Sequence, residues 1–160
     1  MSGDPRVVSG DPRVVSGDPR VALEQVQLAD QRWGDALEAS VEAPPDYGFA
    51  QRVRAIANAA EQEAAALRHA DMLGLAHRPH PGARSMQLSH ELRPGARSRP
   101  GPLELWDRFD ATVAELGEAL EGVALSAIAR AFGELSDVAR ELAAEIERLD
   151  SRTAARRRAG

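Results

Sequence analysis

The fold is decided by residues 103–149, which read LELWDRFDATVAELGEALEGVALSAIARAFGELSDVARELAAEIERL. Apolar side chains recur here every three or four positions, with one interruption at Glu121-Gly122. They are Trp106, Phe109, Val113, Leu116 and Leu120, then Leu125, Ile128, Phe132, Leu135, Ala139, Leu142, Ile146 and Leu149. This spacing puts one narrow apolar stripe on each of two helices, and the short break predicts that they fold back as an antiparallel hairpin.

The first half of the chain predicts a second hairpin. One helix is expected from about Pro19 to Glu42 and another from about Phe49 to Leu75, separated by Pro44-Pro45. Their stripes are Val26, Ala29 or Asp30, Trp33, Leu37 and Val41 in the first, and Phe49, Val53, Ile56, Ala60, Ala64, Leu67 and Ala70 in the second. The small residues in the middle of the second stripe predict that another helix approaches it closely.

The N-terminus carries three tandem copies of SGDPRVV, the third ending in Ala, over residues 2–22. The repeated prolines exclude one continuous helix through this region. In the third copy, Asp18 suits an N-cap and Pro19 suits the first helical position. We therefore expect residues 1–17 to form a flexible tail and the first helix to begin after Asp18.

These patterns predict an all-α protein, an antiparallel four-helix bundle of two helical hairpins joined by a long irregular connection. Residues 18–150 form the single domain, with the connection at residues 77–102. Residues 151–160 form a basic C-terminal tail. The connection is long for a compact domain, and connections of this length are often functional or disordered.

Composition removes several classes of function. The 160 residues contain no cysteine, so disulfide scaffolds, thiolate metal sites and cysteine nucleophiles are excluded. A net charge of −5 argues against general binding to nucleic acid or anionic membranes. The sequence has neither a membrane-spanning run nor the apolar core of a signal peptide, so we expect a cytoplasmic protein with no membrane partner.

No catalytic or cofactor site emerges from the motifs. The four histidines are His69, His77, His80 and His90, but Pro79 prevents a helix from aiming His77 and His80 at one metal ion. Ser85 or Ser89 with His90 and Glu91 lacks the glycines of a nucleophile elbow. We therefore expect no enzyme activity, no metal and no cofactor.

Residues 128–142 resemble the helix-turn-helix motif of DNA-binding proteins, with Ala129 and Gly133 near the motif's small-residue positions. Glu134 stands where the turn requires an apolar side chain. The apolar stripe also passes Gly133 without a change of phase, whereas a turn would shift it. One continuous helix is therefore the favoured interpretation.

The connection concentrates positive charge, because Glu91 is the only acid between His77 and Pro102. Our leading hypothesis is a non-enzymatic protein–protein interaction or regulatory protein that binds a protein partner through this Arg-rich connection. A homo-oligomer is a further prediction, in which a second copy of the chain covers apolar strips left by the thin, Ala-rich core. The candidate contact residues are Arg84, His90, Arg93, Arg97 and Arg99. Two alternatives stay open. One is a DNA-binding transcriptional regulator that uses residues 128–142 or the basic loop and tail, and the other is a bundle that binds a small ligand near Trp33 and Trp106.

Overall fold

The computed structural model describes residues 18–42, 48–75, 99–122 and 124–159. The expected tail at 1–17 lies outside these residues. So does most of the Arg-rich connection, including Arg84, His90, Arg93 and Arg97.

The described residues form four α-helices, which confirms the all-α prediction. We number them α1 (Pro19–Glu42), α2 (Phe49–Met72), α3 (Leu103–Glu121) and α4 (Leu125–Ala159). Asp18 is the N-cap of α1, because its Oδ1 accepts a hydrogen bond of 2.9 Å from the backbone N–H of Arg20. α2 ends at Met72, three residues before the predicted end at Leu75. Gly74 follows this end in the left-handed conformation, at φ 80°.

The predicted apolar stripes form the core. Every described residue of the α2 stripe is buried, from Phe49 to Ala70. Two stripe residues in the second hairpin depart from the prediction: Val113 is only half-buried, and Leu149 is 37% exposed. Leu149 loses its cover because α4 continues beyond the last buried residue of its stripe, Ile146.

The closest and most extensive backbone packing joins α2 to α4. On α2, Arg54 and Glu61 lie seven residues apart, and they pair with Glu147 and Arg140, which are also seven apart but in descending order. The two helices are therefore antiparallel, in a shared heptad register. Fully buried alanines permit the close approach on both sides, as the sequence predicted for α2: Ala57, Ala60 and Ala64 in α2, and Ala139 and Ala143 in α4.

The outer helices each pack on one inner helix. Arg32 of α1 donates to Gln62 of α2 over 2.9 Å, and Arg108 of α3 pairs with Glu141 of α4 over 3.3 Å. Together with the short connections inside each hairpin, these contacts make α1 antiparallel to α2 and α3 antiparallel to α4. The predicted two-hairpin bundle is confirmed.

This topology makes α2 and α3 parallel to each other, since both run antiparallel to α4. The end of α2 and the start of α3 therefore lie at opposite ends of the bundle. The 24 residues of α2 span roughly 36 Å, so a chain that joins these two ends needs at least about ten extended residues. Part of the length of the connection thus has a structural reason, and its length alone does not indicate a function.

Candidate functional site

The aromatic side chains fill the space between the two hairpins. Trp33 of α1 packs edge-on against Phe132 of α4, with ring centroids 5.1 Å apart. Trp106 of α3 packs edge-on against Phe49 of α2 at 5.7 Å and against Phe109 at 5.4 Å. Both tryptophans are thus packed against other rings in the core between the hairpins. A small ligand bound near Trp33 and Trp106 stays a prediction.

One end of the bundle brings together the C-terminus of α1, the N-termini of α2 and α3, and the C-terminal part of α4. We call it the arginine end. Its geometry follows from three contacts: Arg52 with Ser40, Phe49 with Trp106, and Arg54 with Glu147. The Arg-rich connection re-enters the described chain here, because Gly101 lies against Leu142 and Ile146 of α4.

Arg99 is held inside the chain at this end. Its guanidinium lies 4.3 Å from the centre of the Trp106 ring, and Nη1 and Nη2 donate hydrogen bonds of 2.9 and 3.1 Å to the Asp110 carboxylate. Only 17% of the Arg99 side chain is exposed. A bidentate pair stacked on an aromatic face fixes the start of α3. Arg99 therefore has an internal role, and we do not include it in the contact surface proposed below.

The last part of α4 projects beyond the packed helices. From Asp150 to Ala159 every residue is exposed except the half-buried Ala154, yet the helix continues through this region. The residues that the sequence assigns to a basic tail are thus helical up to Ala159. Arginines near a helix C-terminus offset its negative partial charge, which helps this segment to stay helical. The exposed arginines are Arg152, Arg156, Arg157 and Arg158.

A small groove lies between the end of α1 and the start of α2, with a volume of about 240 Å³. Its polar lining comes from Ser40, Gln51 and Arg52, and its remaining walls from Ala36, Ala39, Gly48 and Ala55. Arg52 is 9% exposed, donates through Nη1 to the Ser40 carbonyl over 3.2 Å, and lies 4.9 Å from the centre of the Phe49 ring. These contacts hold a cationic group at the edge of an otherwise mostly apolar groove.

At the opposite end, an acidic groove runs between α3 and α4, lined by Glu115, Glu118 and Glu134 together with Arg130. The pKa of Glu115 is raised above its ordinary value, mainly by a hydrogen bond with the Glu134 carboxyl and by repulsion from its charge. Desolvation and Glu118 raise this pKa further, and Arg130 opposes the shift. The Glu134 carboxyl therefore makes ionisation of Glu115 less favourable.

α4 is one helix through Gly133, as the phase of its stripe predicts, and this glycine is not among the described glycines with positive φ. The described residues contain no group of three His, Asp or Glu side chains that would hold a metal ion. Of the four histidines, only His69 is among these residues.

Sequence reasoning gave no role to four buried polar side chains, Ser40, Arg52, Glu63 and Thr112. Glu63 is completely buried in α2. A signal was present for it, because Glu63 lies seven residues after Ile56 and three after Ala60, so helical phase puts it at the border of the apolar stripe.

Among the residues described, no helix is long and apolar enough to cross a membrane. Comparisons with protein-family models, with curated proteins and with solved structures gave no significant match. The chain is thus placed by its own geometry alone, as an all-α four-helix bundle with an arginine end and an acidic groove.

Proposed function

We propose that this is a non-enzymatic interaction or regulatory protein that binds an acidic surface of a protein partner through the arginine end. The observation that carries the proposal is the exposed extension of α4, where four arginines and the single acid Asp150 occupy residues 150–159. No other described helix covers this segment, so the segment gains no stability from a buried core.

The chemistry of arginine supports an acidic partner. A guanidinium binds carboxylates with two parallel hydrogen bonds, and a surface of one sign accelerates encounter with a surface of the opposite sign. The sequence offers Arg84, His90, Arg93 and Arg97 of the Arg-rich connection as further candidate contact residues.

The proposal is tested by removing charge rather than by deleting the connection, because a deletion that reaches Arg99 would also remove its pair with Asp110, which fixes the start of α3. Two variants serve: Arg84, Arg93 and Arg97 to Gln, and Arg152, Arg156 and Arg157 to Gln. The matched control changes three exposed arginines towards the opposite end, Arg20, Arg68 and Arg130, to Gln. Each tagged protein is expressed in its native cells, and co-purified proteins are quantified by mass spectrometry.

We expect the Arg152, Arg156 and Arg157 variant to lose its co-purified partner by about tenfold, while the control retains it and all variants keep wild-type helicity. A loss in the Arg84, Arg93 and Arg97 variant would add the Arg-rich connection to the contact surface. The captured protein, tagged in turn, should recover this chain. Equal recovery by wild type and the Arg152, Arg156 and Arg157 variant would exclude the arginine end as the contact surface.

Nucleic acid is the second candidate partner, and the spacing of two arginines in the exposed end of α4 favours it. Arg152 and Arg156 lie four residues apart, so they share one face of an exposed helix and can follow a phosphate backbone. The test is retention of duplex DNA over a series of salt concentrations. Binding that weakens steeply with salt and is lost in the Arg152, Arg156 and Arg157 variant supports this candidate, and no retention even at low salt removes it.

A further inference from the structure

Three exposed apolar side chains lie along the outer surface of the first hairpin. Val21 is 38% exposed, Leu28 is 47% exposed and Met72 is 82% exposed. Val21 and Leu28 are seven residues apart, so they share one face of α1. The hydrogen bond from Arg32 to Gln62 fixes the antiparallel register of α1 and α2. This register puts Val21 level with Met72, since each lies about three turns from the bonded pair.

Leu28 lies at the centre of this surface, over an open groove of about 390 Å³. Among the described residues, only α1 and α2 line the groove, through Gln25, Leu28, Ala29, Arg32, Gln62, Ala65 and Ala66. Single exposed apolar residues are common, whereas a strip of them marks an interface. We call this strip the α1–α2 face, and it comprises Val21, Leu28, Ala65, Ala66 and Met72.

The charges on α1 indicate what covers the α1–α2 face. Glu24 lies four residues before Leu28, and Arg32 lies four residues after it. Farther out, Arg20 lies eight residues before Leu28 and Asp35 lies seven after it. All four charged side chains are exposed. Opposite charges thus stand at nearly equal distances on the two sides of Leu28, so α1 is complementary to a reversed copy of itself.

We propose that a second copy of this chain covers the α1–α2 face, in a two-fold symmetric dimer whose axis passes beside Leu28. The two α1 helices run antiparallel, and Leu28 of one copy packs on Leu28 of the other. Glu24 of each copy then pairs with Arg32 of the other, and Arg20 pairs with Asp35. The bond to Gln62 uses only Nη1 of Arg32, so its guanidinium retains donors for Glu24.

This dimer does not use the arginines at the end of α4, so the proposal is independent of the contact surface described above. A parallel arrangement of the two α1 helices would set Glu24 against Glu24 and Arg32 against Arg32. Like charges in such positions oppose association. The charge pattern therefore favours a closed, antiparallel pair.

Sedimentation velocity of the full-length chain, at concentrations up to about 0.3 mM, tests for the dimer. We expect wild type to dimerise and Leu28→Glu to dimerise at least about tenfold more weakly, because the variant buries two like charges at the axis. Leu103→Glu is the matched control, since Leu103 is 74% exposed but lies on α3, outside the α1–α2 face. A monomeric wild type, or equal losses in the two variants, would overturn the proposal.

Exchange of charge tests the antiparallel arrangement. Glu24→Arg sets arginine opposite arginine, and Arg32→Glu sets glutamate opposite glutamate, so each variant alone should dimerise about tenfold more weakly than wild type. An equimolar mixture of the two should recover the wild-type affinity, because opposite charges then meet at both pairs. Damage to the fold of either variant could not produce this recovery. Single variants that dimerise like wild type, or a mixture that does not recover, would exclude the arrangement.

A crosslink tests the position of the axis. The chain has no cysteine, so Leu28→Cys introduces a single thiol. The axis brings the thiols of two copies together, and oxidised glutathione should join most of the chains by a disulfide. Leu103→Cys is the control and should stay mostly uncrosslinked. No crosslinked dimer of Leu28→Cys, or equal crosslinking of both variants, would exclude an axis beside Leu28.

Discussion

The Arg99 guanidinium donates two hydrogen bonds to the Asp110 carboxylate, of 2.9 and 3.1 Å, while lying 4.3 Å from the centre of the Trp106 ring. This pair fastens the end of the Arg-rich connection to α3. An arginine that the sequence offers for a partner is thus already bound within the chain. Arg99 thus has a partner within the chain, and the coupling free energy between Arg99 and Asp110 can be measured.

A double-mutant cycle of Arg99→Ala and Asp110→Ala should give a coupling free energy of about 1 kcal/mol. This lies above the value for exposed pairs because the side chains are only 17% and 36% exposed. The control pair, Arg108 with Glu141, is 56% and 53% exposed and should couple by no more than a few tenths of a kcal/mol. Urea unfolding measures both cycles. Equal couplings would mean that the stacked geometry adds nothing to Arg99–Asp110.

Gly133→Ala should stabilise the protein by about 0.5–1 kcal/mol, because glycine is unfavourable inside a helix. An added Cβ would meet only the flexible end of Arg68, at 3.7 Å, which is ordinary contact. Gly101→Ala is the opposite case: Gly101 has φ 101°, so alanine there should destabilise. Thermal unfolding distinguishes them. A loss of stability in Gly133→Ala would indicate the backbone turn that a helix-turn-helix requires.

Ala64→Leu tests the close packing of α2. Ala64 is completely buried, so the added carbon atoms of leucine (Cγ, Cδ1 and Cδ2) have no space, and we expect a loss of about 1–3 kcal/mol. The neighbouring Ala65→Leu lies on the exposed face of the same helix and should change stability by less than about 0.5 kcal/mol. Similar effects at the two positions would mean that Ala64 is not at a tightly packed contact. Urea unfolding provides the comparison.

The raised pKa of Glu115 predicts a pH dependence. The folded protein holds this proton more tightly than the unfolded chain, so the stabilising contribution is complete below the ordinary glutamate pKa and is lost as pH rises through the raised value. Glu115→Gln should therefore melt at a higher temperature than wild type at pH 7. At pH 3 the side chain at position 115 is uncharged in both the wild type and the variant, so the difference in melting temperature should vanish.

Glu134→Gln provides the control for this pH effect, because Glu134 is the main cause of the shift. It should produce a similar gain at pH 7, and the double variant should add little to either single change, since the interaction is already removed. Melting temperatures recorded from pH 3 to pH 8 test this. Fully additive gains would show that the two carboxyl groups do not interact.

Much of the fold was predictable because its determinants are local. The three-and-four spacing from Trp106 to Ile146, the N-cap at Asp18 and the breaks between helices all act over a few residues. Leu149 shows the limit of that reasoning. It follows the three-and-four spacing of the stripe but is 37% exposed, because periodicity does not reveal where the neighbouring helices end.

The candidate site was less predictable because it depends on distant parts of the chain. Arg99 counted as an exposed cation until the fold placed it beside Trp106 and Asp110. Ser40 and Arg52 lie twelve residues apart on different helices, and neither belongs to a recognisable motif. Only packing reveals that they share a groove.

The sequence by itself determined the helices, their apolar faces and the two hairpins, since helical period, capping and chain breaks are encoded within one or two turns. Tertiary structure decided which helices are neighbours. The packing of α2 on α4 makes α2 parallel to α3, so the end of α2 and the start of α3 lie at opposite ends of the bundle. It also decided which polar groups are buried, because burial depends on where another helix lies and not on the residue's own helix. The hypothesis of a basic contact surface, suggested first by residues 77–102, now rests as well on the exposed arginines at the end of α4.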